Sequence, residues 1–410
     1  MVWYNIRKNG KVFVMTHSQL KHIVIMLAAV SSFSLFAGNW TLSGGVLTSS
    51  DGQWSFSGAS KSGTTLTVGA CTSAATDGIL DFRNTTVNGE SVTTIAIANK
   101  TTWGSANIKE FYCDTLSKVA DSLFSGSTTL EKIQVATLSN KSIGSSAFKS
   151  CSSLTTANFG GLITGVSSES FNGCQNLDVA AEDLISPNIS SFALRAFNNC
   201  KKLHGKLVLN NVNSFSSSGS CLNSIGIEEL VIQSENPSFT TFSTAAFASC
   251  TSLTNVTIKS TKFTALGSSN VFGGCTALKR VTLDLPNLNS VGTGTQNTTK
   301  LLYGCNALKE VYIVGEPWKD ANGNDLMDYA LTKHLLISVP AVAANTDAPK
   351  KCTVYAIRHL FRDFASAMSG KEPNHAPPKC YGVYVDQSSS RKAYMVQSPY
   401  YKSGMFVSVQ

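Results

Sequence analysis

Along most of this chain a short apolar motif returns at near-constant spacing. Six times, an aromatic or apolar residue is followed three places later by Cys and six places later by Leu. The copies are Phe148-Lys-Ser-Cys151-Ser-Ser-Leu154, Phe171…Cys174…Leu177, Phe197…Cys200…Leu203, Phe247…Cys250…Leu253, Phe272…Cys275…Leu278 and Leu302…Cys305…Leu308. Two more carry Ser in the Cys slot: Phe124…Ser127…Leu130, and Cys221…Ser224…Ile227, which puts Cys221 in a Phe slot. A ninth, fainter copy ends at Ile108. The final position thus falls at 108, 130, 154, 177, 203, 227, 253, 278 and 308, at intervals of 22 to 30 residues. Self-similarity at this period marks stacked coils rather than one compact ball.

After Leu the chain usually continues x-x-apolar-x-apolar, as in Leu130-Glu-Lys-Ile133-Gln-Val135 and Leu278-Lys-Arg-Val281-Thr-Leu283. Period-2 alternation over so few residues predicts a short strand with one buried face. Another apolar residue often stands five places before the Phe: Val119, Ile143, Val166, Phe192 and Phe242. The Ala-Phe-x-x-Cys stretch between them predicts a helical or 3-10 turn that packs Phe inward. A single coil cannot bury its own apolar face, whereas stacked coils share a core. The expected interior is a ladder of Phe124, Phe148, Phe171, Phe197, Phe247 and Phe272 beside Cys151, Cys174, Cys200, Cys250, Cys275 and Cys305. The expected sheet is continuous, with nine parallel strands about 4.8 Å apart.

The stretch Ile143-Gly144-Ser-Ser-Ala147-Phe148-Lys-Ser-Cys151-Ser-Ser-Leu154 resembles the BspA-type leucine-rich repeat nearly position for position, and the resemblance covers roughly residues 85–314. Gly89-Glu-Ser-Val92-Thr-Thr-Ile95 resembles the lead-in to the first repeat of such proteins. The resemblance implies a repeat solenoid: a parallel β sheet on one face and irregular or 3-10 turns on the other. It further implies a secreted or surface-attached bacterial protein that binds other proteins or host surfaces. The 30-residue interval before Leu308, and the scarcity of Pro after the strands apart from Pro286, depart from that pattern.

The flanks differ from the array. Ile23 to Ala37 is a 15-residue, mostly apolar run after Lys21 and His22. It is shorter than the ~20 residues a spanning helix needs and reads as the core of a secretory signal. Residues 1–37 are therefore expected to be a signal segment cleaved after Ala37, with Met15 as the true start. Residues 38–98, with Trp40-Thr-Leu42, Trp54-Ser-Phe56, Leu66-Thr-Val68 and Ile79-Leu-Asp-Phe82 beside Asp-Gly turns, predict a β-rich N-terminal cap. Trp40 and Trp54 are expected in its core, with an aromatic glycan platform as the alternative. Residues 99–314 form the solenoid. Residues 315–410 predict a small α+β cap or module, with helices over 325–336 and 356–368 and a hairpin joining 383–386 to 392–396.

The charge balance, 33 basic against 25 acidic residues, falls to 29 against 25 once Arg7, Lys8, Lys11 and Lys21 are set aside. That balance is too weak and too scattered for a nucleic-acid footprint. Charged residues are only 14% of the chain, against about 25% in ordinary soluble domains, so Ser, Thr and Asn must supply the polar surface. Of 11 cysteines, six share the repeat slot, and Ser replaces them in two copies. That substitution favours a small, buried, weakly hydrogen-bonding residue over disulfides along the ladder. Cys352 and Cys380 lie outside the array and are candidates to pair.

No HExxH, GxSxG or GxxxxGK[ST] motif occurs. Asp320-Ala-Asn322-Gly-Asn324 spaces its oxygen ligands like a calcium loop, but Gly stands at the fourth rather than the sixth place and Leu331 replaces the acidic twelfth. No cofactor or metal is expected. Seven Asn-x-Ser/Thr sequons (Asn39, Asn84, Asn99, Asn140, Asn188, Asn255 and Asn297) are what a Ser/Thr/Asn-rich chain produces by coincidence. The expected function is a secreted or cell-surface binding or adhesion scaffold, not an enzyme, with proteins or surface glycans as partners and no membrane span after cleavage. Lys279, Arg280, Lys309 and Tyr312 mark the one hint of a binding patch on the outward strand positions. A structural surface-layer component is the alternative. An enzyme using the repeats as a targeting platform is disfavoured, because fewer than 100 residues remain without a recognisable constellation.

Overall fold

The computed structural model describes residues 3–8, 11–16, 38–217, 219–266, 270–290, 301–302, 304–314, 351–356, 381–386 and 393–397. The apolar run from Ile23, the calcium-like loop, the two helices expected near the C-terminus, Cys380 and Asn297 lie outside these residues, apart from Ala356, which ends a strand. At the N-terminus Trp3–Lys8 pairs antiparallel with Lys11–Thr16.

The array is a β solenoid whose coils are joined along three hydrogen-bonded rows. The first row is the strand that follows the Leu slot. One sheet orders Thr156–Asn158, Lys132–Leu138, Glu110–Leu116, Thr94–Ile97, Thr65–Val68 and Ser60–Ser62, with Ile79–Phe82 also pairing along Glu110–Leu116. A second sheet runs parallel through Lys206–Leu209, Glu229–Gln233, Asn255–Lys259, Arg280–Asp284, Glu310–Val314 and Lys351–Ala356. It then continues antiparallel through Tyr381–Asp386 and Ala393–Gln397.

The continuous nine-strand sheet is therefore corrected to two sheets with a break between them. After Leu177 the sequence reads Asp-Val-Ala-Ala-Glu-Asp-Leu, and the short helix Ala181–Leu184 takes the strand's place. Ala181 and Leu184 are its buried residues, a helical spacing that an alternating strand cannot present to one face. The following coil carries one extra residue, Gly205, between Leu203 and the strand. Glu182 and Glu228 accept the backbone N–H groups of Lys206 and Gly205, so these amides at the break are not left unpaired.

The second row consists of one-rung and two-rung strands. Ile143, Val166, Phe192 and Phe215 lie in parallel register, Val119 bridges to Ile143, and Thr241, Ala265 and Ser290 extend the row. These are largely the apolar positions five residues before Phe.

The third row is the Phe turn. It is an irregular turn in which the residues two before and two after the Phe slot adopt positive φ: Ser146 (55°) and Ser150 (60°) around Phe148, Ala245 (53°) and Ser249 (57°) around Phe247. This geometry aims the N–H groups of the turn at the next coil. Ser146, Phe148 and Ser150 donate to Ser168, Ser170 and Asn172 at 2.7–2.8 Å.

The same pattern resets the register of one copy. Phe197 N–H donates to Cys221 O and Leu222 N–H to Ala246 O, and Ser220 and Ser224 carry the positive φ values. Leu222, not Cys221, thus fills the Phe slot, Ile225 the Cys slot, and Cys221 the place held elsewhere by Ala147, Ala196 and Ala246. The copy is one residue short between turn and strand, so a fixed offset counted back from Ile227 lands one residue early.

Phe124, Phe148, Phe171, Phe197, Phe247 and Phe272 are fully buried, as are Cys151, Cys174, Cys200, Cys250 and Cys275, with Cys305 at 1% exposure. The rings stack at 5.6 Å (Phe124–Phe148), 5.0 Å (Phe148–Phe171), 5.0 Å (Phe171–Phe197) and 5.6 Å (Phe247–Phe272). Leu222 interrupts the stack, and Phe215 leans in with its ring 5.3 Å from that of Phe247. The cap shares this core: Trp40 stacks on Phe82 at 4.8 Å, and Phe82 and Trp103 lead through Phe111 to Phe124.

Candidate functional site

With Phe, Cys, Leu and the alternate strand residues committed to the interior, the outward strand positions are the surface the repeat leaves variable. Register places them in rows that run along the stack.

The row that opens each strand neutralises itself between coils. Lys206 meets Glu229 at 3.0 Å, and Arg280 Nε and a terminal guanidinium nitrogen both reach Glu310 Oε2 at 2.7 Å. Near the far end of the strands Lys259 meets Asp284 at 3.3 Å.

The central row reads Asp81, Tyr112, Gln134 and Asn158 on the first sheet, and Val208, Val231, Thr257, Thr282 and Tyr312 on the second. Tyr112 and Tyr312 occupy the same slot on the two sheets, each with Glu two residues earlier, and Tyr355 follows Tyr312 in register. The guanidinium of Arg83 lies 4.3 Å from the Tyr112 ring centre, with the Lys132 ammonium at 5.1 Å. Arg280 lies 5.6 Å from the Tyr312 ring. Such contacts fix the ring through its quadrupole.

Around Tyr112 the charges are interlocked. Asp81 accepts from Arg83 Nε at 3.0 Å and from a terminal nitrogen at 2.6 Å, Tyr112 donates its hydroxyl to Glu110, and Asn84 N–H donates to Asp114 at 2.7 Å. Burial and then the Glu110 hydrogen bond push the Tyr112 phenol well above its ordinary range, and the bond to Asp81 raises the Arg83 guanidinium. Neither group titrates near neutrality, so the cluster presents fixed charge and a neutral phenol.

Of the expected patch, Lys279, Arg280 and Lys309 are exposed and Tyr312 is half-buried. The structure brings all four together, since Lys309 N–H donates to Lys279 O and Arg280 stands opposite Glu310. Arg280 is committed to Glu310 and Tyr312, which leaves the two lysines as the cations turned to solvent.

Asp81, Arg83 and Tyr112 were not singled out from the sequence. Their signal was the run Ile108-Lys-Glu-Phe111-Tyr-Cys113, which repeats the Leu-x-x-apolar-x-apolar pattern and so turns Tyr112 outward like Tyr312. The copy is faint because it too is one residue short: the fixed offset points to Thr102 and Ser105, whereas Trp103 N–H donates to Leu123 O, which puts buried Trp103 in the Phe slot and Ala106 in the Cys slot.

Trp40 and Trp54 are 5% and 4% exposed, and Trp54 Nε1 donates to Ile79 O at 3.1 Å. They are core residues, and the aromatic glycan platform is withdrawn for them. The ladder thiols have a defined bond. Cys151, Cys174, Cys200, Cys275 and Cys305 each donate Sγ–H to the carbonyl of the preceding Phe slot at 3.0–3.2 Å, and Cys250 to Leu222 O at 3.3 Å. The nine cysteines from Cys71 to Cys305 are free thiols, and burial raises Cys113, Cys174, Cys200, Cys221 and Cys250 above the ordinary thiol range.

Among the described residues, no group of three or more His, Cys, Asp or Glu is placed to hold a metal. No helix among them is long and apolar enough to cross a membrane. His204, the one histidine there, faces Asp178 at 3.4 Å. The described strand face presents ion pairs, hydroxyls, amides and the phenols of Tyr112 and Tyr312.

The BspA type leucine rich repeat region matches this chain in six copies, over residues 95–220 and 219–315. No curated protein matches the chain. Two crystal structures are similar to it. A leucine rich cell surface protein of Faecalibacterium prausnitzii A2-165 has 17% identity and a TM-score of 0.30, covering 64% of this chain and 88% of its own. A leucine-rich repeat protein of Bacteroides ovatus ATCC 8483 has 20% identity and a TM-score of 0.30, covering 62% and 79%. The repeat profile spans more than half of the sequence, and the coils it marks carry the Phe, Cys and Leu rungs in register: the chain belongs to the BspA-type leucine-rich-repeat family.

Proposed function

We propose that this chain is an exported binding scaffold that works at the cell surface and holds partner proteins against its outward strand face. The observation that carries the reading is the two Tyr–Arg–Glu clusters, Tyr112 with Arg83 and Glu110 and Tyr312 with Arg280 and Glu310, set in one slot on the two sheets of that face. Tyr and Arg are the residue types that dominate protein–protein hot spots, and here their side chains are held before any partner arrives. A protein partner is favoured over a glycan because guanidinium groups lie over the Tyr112 and Tyr312 rings and Trp40, Trp54 and Trp103 are buried. The family and the apolar run from Ile23 to Ala37 support export.

The test pairs location with binding. Protease shaving of intact cells should release the array, and immobilised protein should retain surface proteins that Tyr112→Ala and Tyr312→Ala fail to retain. Retention unchanged in both variants, or full protection from the protease, defeats the reading. Ordered self-assembly of the purified protein in place of binding favours the surface-layer alternative.

A further inference from the structure

We infer that the last two coils of the array form a docking subsite for an acidic polypeptide segment, with Lys279 and Lys309 as the paired cations that receive its carboxylates. The inference rests on the scaffold reading above and names the chemistry of one partner segment.

The residue directly after the Leu slot, replaced by the second residue, Gly205, in the coil of Leu203, forms a hydrogen-bonded row of its own. Glu131 N–H donates to Lys109 O at 2.7 Å, Thr155 to Glu131 at 2.9 Å and Asp178 to Thr155 at 2.9 Å. Beyond the break Glu228 donates to Gly205 at 2.9 Å, Thr254 to Glu228 at 2.8 Å, Lys279 to Thr254 at 2.8 Å and Lys309 to Lys279 at 2.9 Å. The row thus reads Lys109, Glu131, Thr155 and Asp178, then Gly205, Glu228, Thr254, Lys279 and Lys309. Lys279 and Lys309 are its one pair of neighbouring like charges. Like charges on adjacent strands destabilise a sheet, and the strand-opening row beside them shows how this fold avoids that cost, by pairing Lys206 with Glu229 and Arg280 with Glu310.

Of the three acidic members of the row, Glu131 follows Lys109, a cation, and the other two are occupied. Glu228 accepts the Gly205 N–H and Asp178 faces His204. Both lysines are exposed, and Glu310, the carboxylate beside them, is held by Arg280. The Arg280–Glu310 pair and the Tyr312 ring under Arg280 make a net-neutral floor next to two ammonium groups that no carboxylate among the described residues meets. A partner carboxylate supplies the missing countercharge. Since Arg280 covers the Tyr312 ring, the site offers a charged sugar its lysines but no stacking surface, so a peptide is the better fit.

The test uses the purified full chain and three probes: a decaglutamate peptide, a decaglutamine peptide and a heparin decasaccharide. Decaglutamate should bind, decaglutamine should not, and Lys279→Glu/Lys309→Glu should weaken decaglutamate binding at least tenfold and flatten its salt dependence. Lys201→Glu/Lys202→Glu, which reverses another exposed lysine pair, should change it less than twofold. Equal losses in the two double variants would show a diffuse charge effect and overturn the inference, as would heparin binding through Lys279 and Lys309 without decaglutamate binding. Unchanged circular dichroism guards against misfolding. If surface proteins are still retained through Tyr112 and Tyr312 while decaglutamate is not, this subsite fails and the scaffold reading stands.

Discussion

The Cys174 thiol sits 3.0 Å from the Phe148 carbonyl oxygen, one coil back, and donates to it. That carbonyl also accepts the Cys151 N–H at 3.1 Å. The thiol therefore satisfies a second lone pair while filling a small apolar gap. Cys meets both demands, whereas Ser127 accepts the Leu130 N–H at 3.2 Å instead and Ile225 fills the gap alone.

Burial should make the ladder thiols inert. In native protein treated with iodoacetamide, peptide mass spectrometry should find Cys151, Cys174, Cys200, Cys250, Cys275 and Cys305 unmodified, and all six should label in denaturant. Half-buried Cys71, its thiol pushed up to about 11, mostly by burial, should label slowly but ahead of them. Rapid native labelling of any rung contradicts the packing.

The same thiols predict alkaline weakening. In the unfolded chain they ionise near 9.0, whereas folding holds Cys113, Cys174 and Cys200 protonated well above that. Above that pH the unfolded state binds fewer protons, so stability present in full below about pH 9 falls as pH rises, by up to about 1.4 kcal/mol per thiol for each pH unit. Urea midpoints at pH 8 and 10 should diverge, and by less in a Cys174→Ser/Cys200→Ser variant.

Phe247→Ala should cost roughly 3–5 kcal/mol through lost transfer energy and the cavity left against Phe215, Phe242 and Phe272. Thermal denaturation matching that of the parent protein would mean that the ring is not a rung.

Ala245 holds φ at 53°, where a side chain costs about 1–2 kcal/mol. Ala245→Gly should raise the melting temperature, by roughly 0.5–1 kcal/mol in stability. Gly173→Ala, at φ 83° where the new Cβ would meet Ser150 no closer than 3.5 Å, an ordinary contact, should lower stability by a similar amount through backbone strain.

Arg280 and Glu310 are partly exposed, so a double-mutant cycle should give a coupling of only about 0.2–1 kcal/mol. Their larger effect should appear in binding, because they set the posture of Tyr312.

The Phe, Cys and Leu rungs were legible because each coil repeats the same burial problem, and burial leaves its mark on residue type. The outward Tyr312 and Lys279 were legible only as positions, since nothing in spacing reveals that Arg280 is already committed to Glu310. The break at Ala181–Leu184 was visible as Ala-Ala-Glu-Asp in place of alternation. The slip to Leu222 was hidden because Cys221 and Ile227 sit at a plausible offset. Deciding it required the hydrogen bonds of the turn, which no side-chain pattern encodes.

Those turns carry one more consequence. Each passes its amide hydrogens forward and receives its neighbour's from behind, so the row has a sense of direction, like an arrow repeated at every level. A coil duplicated in frame meets complementary groups on both sides, whereas a reversed one would set donor against donor. Gain or loss of one whole coil therefore leaves every remaining donor facing an acceptor.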